Sequence, residues 1–130
     1  MAHYLDTSAL VKLVVAERET PALRAWLGEK DRDYVSSDLT RAELMRAVRR
    51  ATPDRLVQVR GVLDSVTLLE VTSHIFEAAG RLDPSILRTL DAVHLAAALD
   101  LGDDLEALVT YDDRLAEAAV ASGIEVIAPA

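Results

Sequence analysis

Short apolar runs of strand length alternate with longer segments of helical period along the whole chain. That alternation limits the possible folds more than any other feature. Strands are expected near residues 2–5, 33–36, 67–71, 107–110 and 124–127, carried by runs such as Thr67-Leu68-Leu69-Glu70-Val71 and Ala107-Leu108-Val109-Thr110. Helical patterns fill the gaps. Thr20-Pro21 reads as an N-cap followed by proline at the first helical position. Thr40-Arg41-Ala42-Glu43 matches a capping box. Pro53-Asp54 divides the region 38–65 into two helices. Further helices are expected over 73–83, over 91–101 with Gly102 as the stop, and over 112–122 with Gly123 as the C′ residue. Strands separated by helices give a mostly parallel sheet covered on both faces. At 130 residues the chain suffices for one such core and not for two, so one three-layer α/β/α domain spanning 1–130 is expected.

Composition removes several alternatives. Apolar residues make up 51% of the chain with few Gly and Pro, which fits a globular domain and not a disordered segment. No apolar run approaches membrane-spanning length. Met1 to Asp6 lacks a basic start and a long apolar run, so no signal peptide is expected. There is no cysteine, which excludes disulfides and thiolate metal sites and fits a reducing cytoplasm. A net charge of −8 argues against nucleic-acid binding over the whole surface. It leaves open a nucleic-acid enzyme whose clustered carboxylates hold divalent cations.

Four acidic positions suggest such a cluster. Asp6 ends the first strand, in Tyr4-Leu5-Asp6-Thr7-Ser8, and a helix follows. Thr110-Tyr111-Asp112-Asp113 repeats that arrangement after a later strand. Asp91 opens the apolar helix Ala92-Val93-His94-Leu95-Ala96. Glu43 lies at the edge of the apolar stripe formed by Leu44, Met45 and Val48. Taken singly, each has an ordinary structural role: N-cap, first-turn acid or capping-box glutamate. His94, one turn after Asp91, reads as a packed, hydrogen-bonded residue and not as a metal ligand. Taken together, helix starts after parallel strands share the carboxyl edge of the sheet, where ligands bind. Carboxylates gathered there repel one another unless a cation neutralises them or their pKa values rise. Oxygen donors suit a hard cation.

These stretches, in this order and spacing, resemble the PIN-domain ribonucleases, and most closely the VapC-type toxins of toxin–antitoxin pairs. The resemblance covers nearly the whole chain. It implies four to five parallel strands in the order 3-2-1-4-5. It also implies a Mg²⁺ or Mn²⁺ site formed by Asp6, Glu43, Asp91 and Asp112, with Ser8 and Thr110 supporting it through their hydroxyls. The doubled acid departs from the family pattern: Thr-x-Asp selects Asp112, while Asp113 is placed to share or replace its role.

The expected activity is metal-dependent endoribonuclease cleavage of structured RNA, with water as nucleophile leaving a 5′-phosphate and a 3′-hydroxyl. An acidic centre needs basic flanks for the phosphate backbone. Residues 41–60 carry six arginines against Glu43 and Asp54 alone. Arg46, Arg49 and Arg50 are the candidate RNA contacts, a solvated helix face being the equal alternative. The toxin resemblance further implies a cognate antitoxin, a homodimer and a larger complex of the two proteins. A partner helix is expected to dock in a groove around Leu10, Leu13 and Val14, with Leu39 and Met45 nearby. The competing functions are an inactive PIN-like binding module, a metal-dependent phosphatase or phosphotransfer domain, and a structural domain whose acids are all caps.

Overall fold

A computed structural model describes all residues, 1–130. The elements in chain order are β1 (Ala2–Leu5), α1 (Thr7–Leu10, continued by a 3₁₀ turn to Leu13), α2 (Thr20–Gly28), β2 (Asp33–Ser37), α3 (Leu39–Ala51), α4 (Leu56–Asp64), β3 (Thr67–Leu69), α5 (Ser73–Gly80), α6 (Thr89–Leu99), β4 (Leu105–Val109), α7 (Asp113–Ala121) and β5 (Val126–Ile127). The five strands form one parallel sheet in the order β3-β2-β1-β4-β5, as the resemblance implies. Observed strands lie within a few residues of the expected ones, and Pro53–Arg55 forms the 3₁₀ turn that separates α3 from α4. No helix is long and apolar enough to cross a membrane.

Alternation along the strands builds a core on each face. Tyr4, Val35 and Leu108 point into a layer made by α5, α6 and α7. Leu5 and Val109 point the other way, against Leu10, Leu23, Leu44, Val48 and Val59 from α1 to α4. The central strand β1 is buried at every residue. Helix α6 is buried continuously from Ala92 to Ala98, which accounts for its nearly unbroken run of apolar residues. Helix α7 stops as expected: Gly123 has φ +83°, its N–H donates to Val120 O at 3.0 Å, and Ile124 N donates to Ala119 O at 2.9 Å. This pair of bonds is a Schellman motif.

Three local expectations are corrected. Thr20 is the first residue of α2 and not its cap. Its hydroxyl accepts from Glu17 N and donates to Lys12 O, both at 2.9 Å, and so ties down the preceding loop. The capping box at Thr40 does not form: α3 begins at Leu39, Thr40 donates to Ser37 O at 2.7 Å, and Glu43 reaches across to another helix. In the proposed docking groove, Leu10 and Val14 are core residues, 0% and 2% exposed, so of the five only Leu13, Leu39 and Met45 reach the surface. Met45, 39% exposed, correspondingly lies off the apolar stripe of α3.

Candidate active site

Strand β1 sits between β2 and β4. The chain leaves β1 for the α1–α4 face and leaves β4 for the α7 face. The crevice between these exits is the topological switch point of a parallel sheet, where ligands bind. Asp6 and Asp112 are its two rims, each an N-cap in extended backbone.

Asp6 is 3% exposed. Its Oδ1 accepts from Ser8 Oγ at 2.7 Å and Ala9 N at 3.1 Å, and its Oδ2 accepts from Thr110 Oγ1 at 2.6 Å. Ser8 Oγ in turn accepts from Tyr111 N at 2.9 Å, and Thr110 Oγ1 accepts from Asp112 N at 3.1 Å. The two hydroxyls therefore stitch the ends of β1 and β4 together around the Asp6 carboxylate. Burial pushes its pKa up, and the Thr110 and Ser8 hydrogen bonds, with the His94 charge and Ala9 N–H, oppose the rise.

Asp112 caps α7 through Oδ1, which accepts from Leu115 N at 3.0 Å, and its Oδ2 accepts nothing from the chain. Asp113 is exposed in the first turn of α7 with no side-chain bond. Asp91 is half-buried in the first turn of α6, and neither of its oxygens accepts a hydrogen bond from the chain. Burial raises its pKa first, then the negative charges of Asp112 and Asp6, with His94 opposing and Glu43 adding a further push. Of the acidic pair, Asp112 is half-buried and its charge acts on Asp91, while Asp113 is exposed.

Glu43 arrives from α3 on the opposite face. Its Oε1 accepts from Thr7 Oγ1 at 2.6 Å and from His94 Nε2 at 2.5 Å. Burial works to raise its pKa, but the hydrogen bond and charge of His94, aided by Thr7, hold it below the usual carboxylate value. Its Oε2 is unengaged. Sequence reading placed His94 as a packed, hydrogen-bonded side chain, and it is one: 2% exposed, with Nδ1 2.8 Å from the Tyr4 hydroxyl. It missed Thr7 and Tyr4 as partners of this corner, because contacts spanning 36 and 90 positions leave no local signal.

The four acids are thus within mutual electrostatic reach, and each keeps oxygen lone pairs free after its structural bonds. No three of the chain's acidic or histidine side chains converge closely enough to form a ready metal cage. The donor set nevertheless suits a hard divalent cation. All four groups are carboxylates with lone pairs left free, and Asp91 accepts no hydrogen bond from the chain. Arg46, Arg49 and Arg50 on α3 stand together around a shallow surface depression, exposed and without ion-pair partners. That removes the intrahelical pairing that the solvated-face reading supposed.

The PIN domain family model matches residues 3–121. The chain belongs to the PIN-domain family. Within it the VapC branch is shown by close relatives: the chain is 48% identical over 128 residues to Ribonuclease VapC46 of Mycobacterium tuberculosis, covering 98% of both chains. It is 44% identical over 129 residues to Ribonuclease VapC35 of the same species, covering 97% of this chain and 96% of the relative. Solved structures share the fold. Mycobacterium tuberculosis VapC20, a Sarcin-Ricin loop cleaving toxin, superposes with a TM-score of 0.78 at 18% identity over 98% of this chain and 99% of its own. The toxin–antitoxin complex from Klebsiella pneumoniae gives 0.74 at 22% identity, covering 98% of each chain. In this PIN-domain chain the acidic crevice is therefore the place to seek chemistry.

Proposed function

We propose that this VapC-family chain is a divalent-metal-dependent endoribonuclease that cleaves structured RNA and acts as the toxin of a toxin–antitoxin pair. The observation that carries this is the Asp91 carboxylate, free of hydrogen bonds from the chain and set among Asp6, Asp112 and Glu43 at the switch point of a chain whose close relatives are ribonucleases. Asp6 and Asp91 would hold Mg²⁺ or Mn²⁺ most directly, with Glu43 and Asp112 acting through water or completing a second position. When bound, such a cation stabilises charge on phosphoryl oxygens and activates water for in-line attack.

The rest falls to the chain's own groups. Ser8 and Thr110 fix the Asp6 carboxylate in one rotamer by donating to both of its oxygens. The cap to Leu115 does the same for Asp112. Thr7 and His94 occupy one oxygen of Glu43 and leave the other without a bond to the chain. Pre-set acids need little rearrangement when charge develops in the transition state. Arg46, Arg49 and Arg50 would take the RNA backbone beside the acidic centre, where unpaired guanidiniums suit phosphate. The cognate antitoxin and a homodimer belong to the same proposal. The antitoxin part is supported by the toxin–antitoxin complexes among structures of this fold. The deciding experiment is cleavage of a structured RNA in Mg²⁺ or Mn²⁺. Products with 5′-phosphate ends, loss of cleavage with chelator, and loss in Asp91→Asn are expected. Chelator-resistant cleavage, or wild-type rates in Asp91→Asn, refutes the metal-site assignment.

A further inference from the structure

Helix α6 is almost wholly Ala, Leu and Val along its buried length, with one polar exception. His94 is 2% exposed within it, and Tyr4, whose hydroxyl it meets, is 0% exposed. Placing two polar groups so deep is costly unless their hydrogen bonds are satisfied. A carboxylate only accepts, so His94 Nε2 carries a proton and donates to Glu43 Oε1. Nδ1 on the other side of the ring is hydrogen-bonded to the Tyr4 hydroxyl at 2.8 Å. The Ser36 and Ser37 hydroxyls, buried and without well-aligned partners, stand beside that phenol. The series ends on a carboxylate whose side chain is still 21% exposed. A rigid core donor thus holds a side chain that water would otherwise leave free to rotate.

We infer that His94, fixed in orientation by Tyr4, is a positioning residue for Glu43: it pins Oε1 so that Oε2 faces the acidic crevice. The inference rests on the metal-site reading above, in which Glu43 helps to hold the cation. His94 itself touches neither cation nor RNA. Outer partners of this kind typically change metal affinity or activity by about 10- to 100-fold when removed.

The test is Mn²⁺ binding by calorimetry, alongside single-turnover RNA cleavage, in His94→Leu, His94→Gln, Tyr4→Phe, Glu43→Gln and the double variant Glu43→Gln/His94→Leu. Mn²⁺ affinity is expected to fall about tenfold in His94→Leu. The cleavage step should slow at saturating RNA, with half-saturation by RNA unchanged. His94→Gln, which keeps a donor near the Nε2 position, should recover most of the loss, and Tyr4→Phe should show a smaller loss of the same kind. In the Glu43→Gln background, His94→Leu should add nothing. Wild-type Mn²⁺ affinity in folded His94→Leu overturns the inference, as does an equal loss in the Glu43→Gln background, which would mean that His94 acts elsewhere. Should His94→Leu fail to fold, Tyr4→Phe decides, since it removes one oxygen and little volume: wild-type affinity and cleavage there overturn the inference. Wild-type affinity in Glu43→Gln alone overturns the underlying metal-site reading, and the role of His94 with it.

Discussion

Asp91 and Asp6 respond differently to the same substitution because their hydrogen bonding differs. Asp91 bonds to nothing in the chain and sits among like charges. Asp91→Asn therefore removes repulsion without breaking a contact, and metal-free thermal stability should rise by a few degrees at neutral pH. The sign follows from linkage. A carboxyl whose folded pKa is raised above its unfolded value stabilises the fold while protonated and loses that contribution as pH rises through the folded pKa. The melting-temperature gap between Asp91→Asn and wild type should therefore be widest at neutral pH and narrow as pH falls toward the ordinary carboxylate range. A gap independent of pH would show that Asp91 is not under charge strain. Asp6→Asn should give no such gain. Its new amide would place a donor against Thr110 Oγ1, which already donates to Asp6. Of the adjacent acids, Asp112→Asn should lower single-turnover cleavage well below wild type while Asp113→Asn stays near it. Asparagine still caps α7, so the fold is kept in both, and the reverse ranking would move the fourth acid to Asp113. At this scale Asp6, Asp112 and Asp91 were legible because each follows a strand or opens a helix, and Glu43 because it borders an apolar helical stripe. The partner of Glu43 was not. A glutamate three residues after a threonine can turn back to its own helix start or reach across to α6, and local sequence does not separate the two.

Elements were legible where punctuation is chemical. Proline ended α3, and glycine ended α7. Gly123 carries the positive φ of its Schellman motif, so Gly123→Ala should destabilise the protein by about 1 kcal/mol, read as a lower denaturation midpoint with an unchanged slope. An unchanged midpoint would mean that the loop before β5 relaxes without cost. Thr20 misled because hydroxyl residues bracket loops as readily as they cap helices. On α3, apolar stripe and basic face divide cleanly, except at Met45. Reversing the charge at Arg46, Arg49 and Arg50 together should weaken RNA binding and flatten its dependence on salt, with Mn²⁺ affinity unchanged. Equal salt slopes would return these arginines to a plain solvated face.

For the whole molecule, strand alternation indicated a parallel sheet, but the order 3-2-1-4-5 came from resemblance. Periodicity says which face a residue takes and not which strand lies beside it. The same limit explains the docking groove. Leu10 and Val14 look available on a helical wheel, yet the second crossover returns α3 over them and packs Leu44 and Val48 against α1. What remains at the surface there is Leu13 and Met45, a smaller apolar edge, since Leu39 packs against the α5–α7 core. A partner helix laid along that edge would place a basic side chain within reach of the acidic crevice, where charge-assisted bonds to several carboxylates would displace a cation. Toxicity and capture should then separate. Expressed alone, the wild-type chain should arrest growth, and Asp91→Asn should not. Co-expressed with the product of the adjacent short reading frame, both should co-purify with it, because Asp91→Asn leaves the apolar edge and the core intact. A Met45→Glu/Leu13→Glu variant should lose the partner while keeping its RNA cleavage. A wild-type chain that is harmless alone and captures nothing would refute the toxin reading and leave a metal-dependent ribonuclease to be tested on its own. Capture that survives both glutamate substitutions would instead place the partner on another surface.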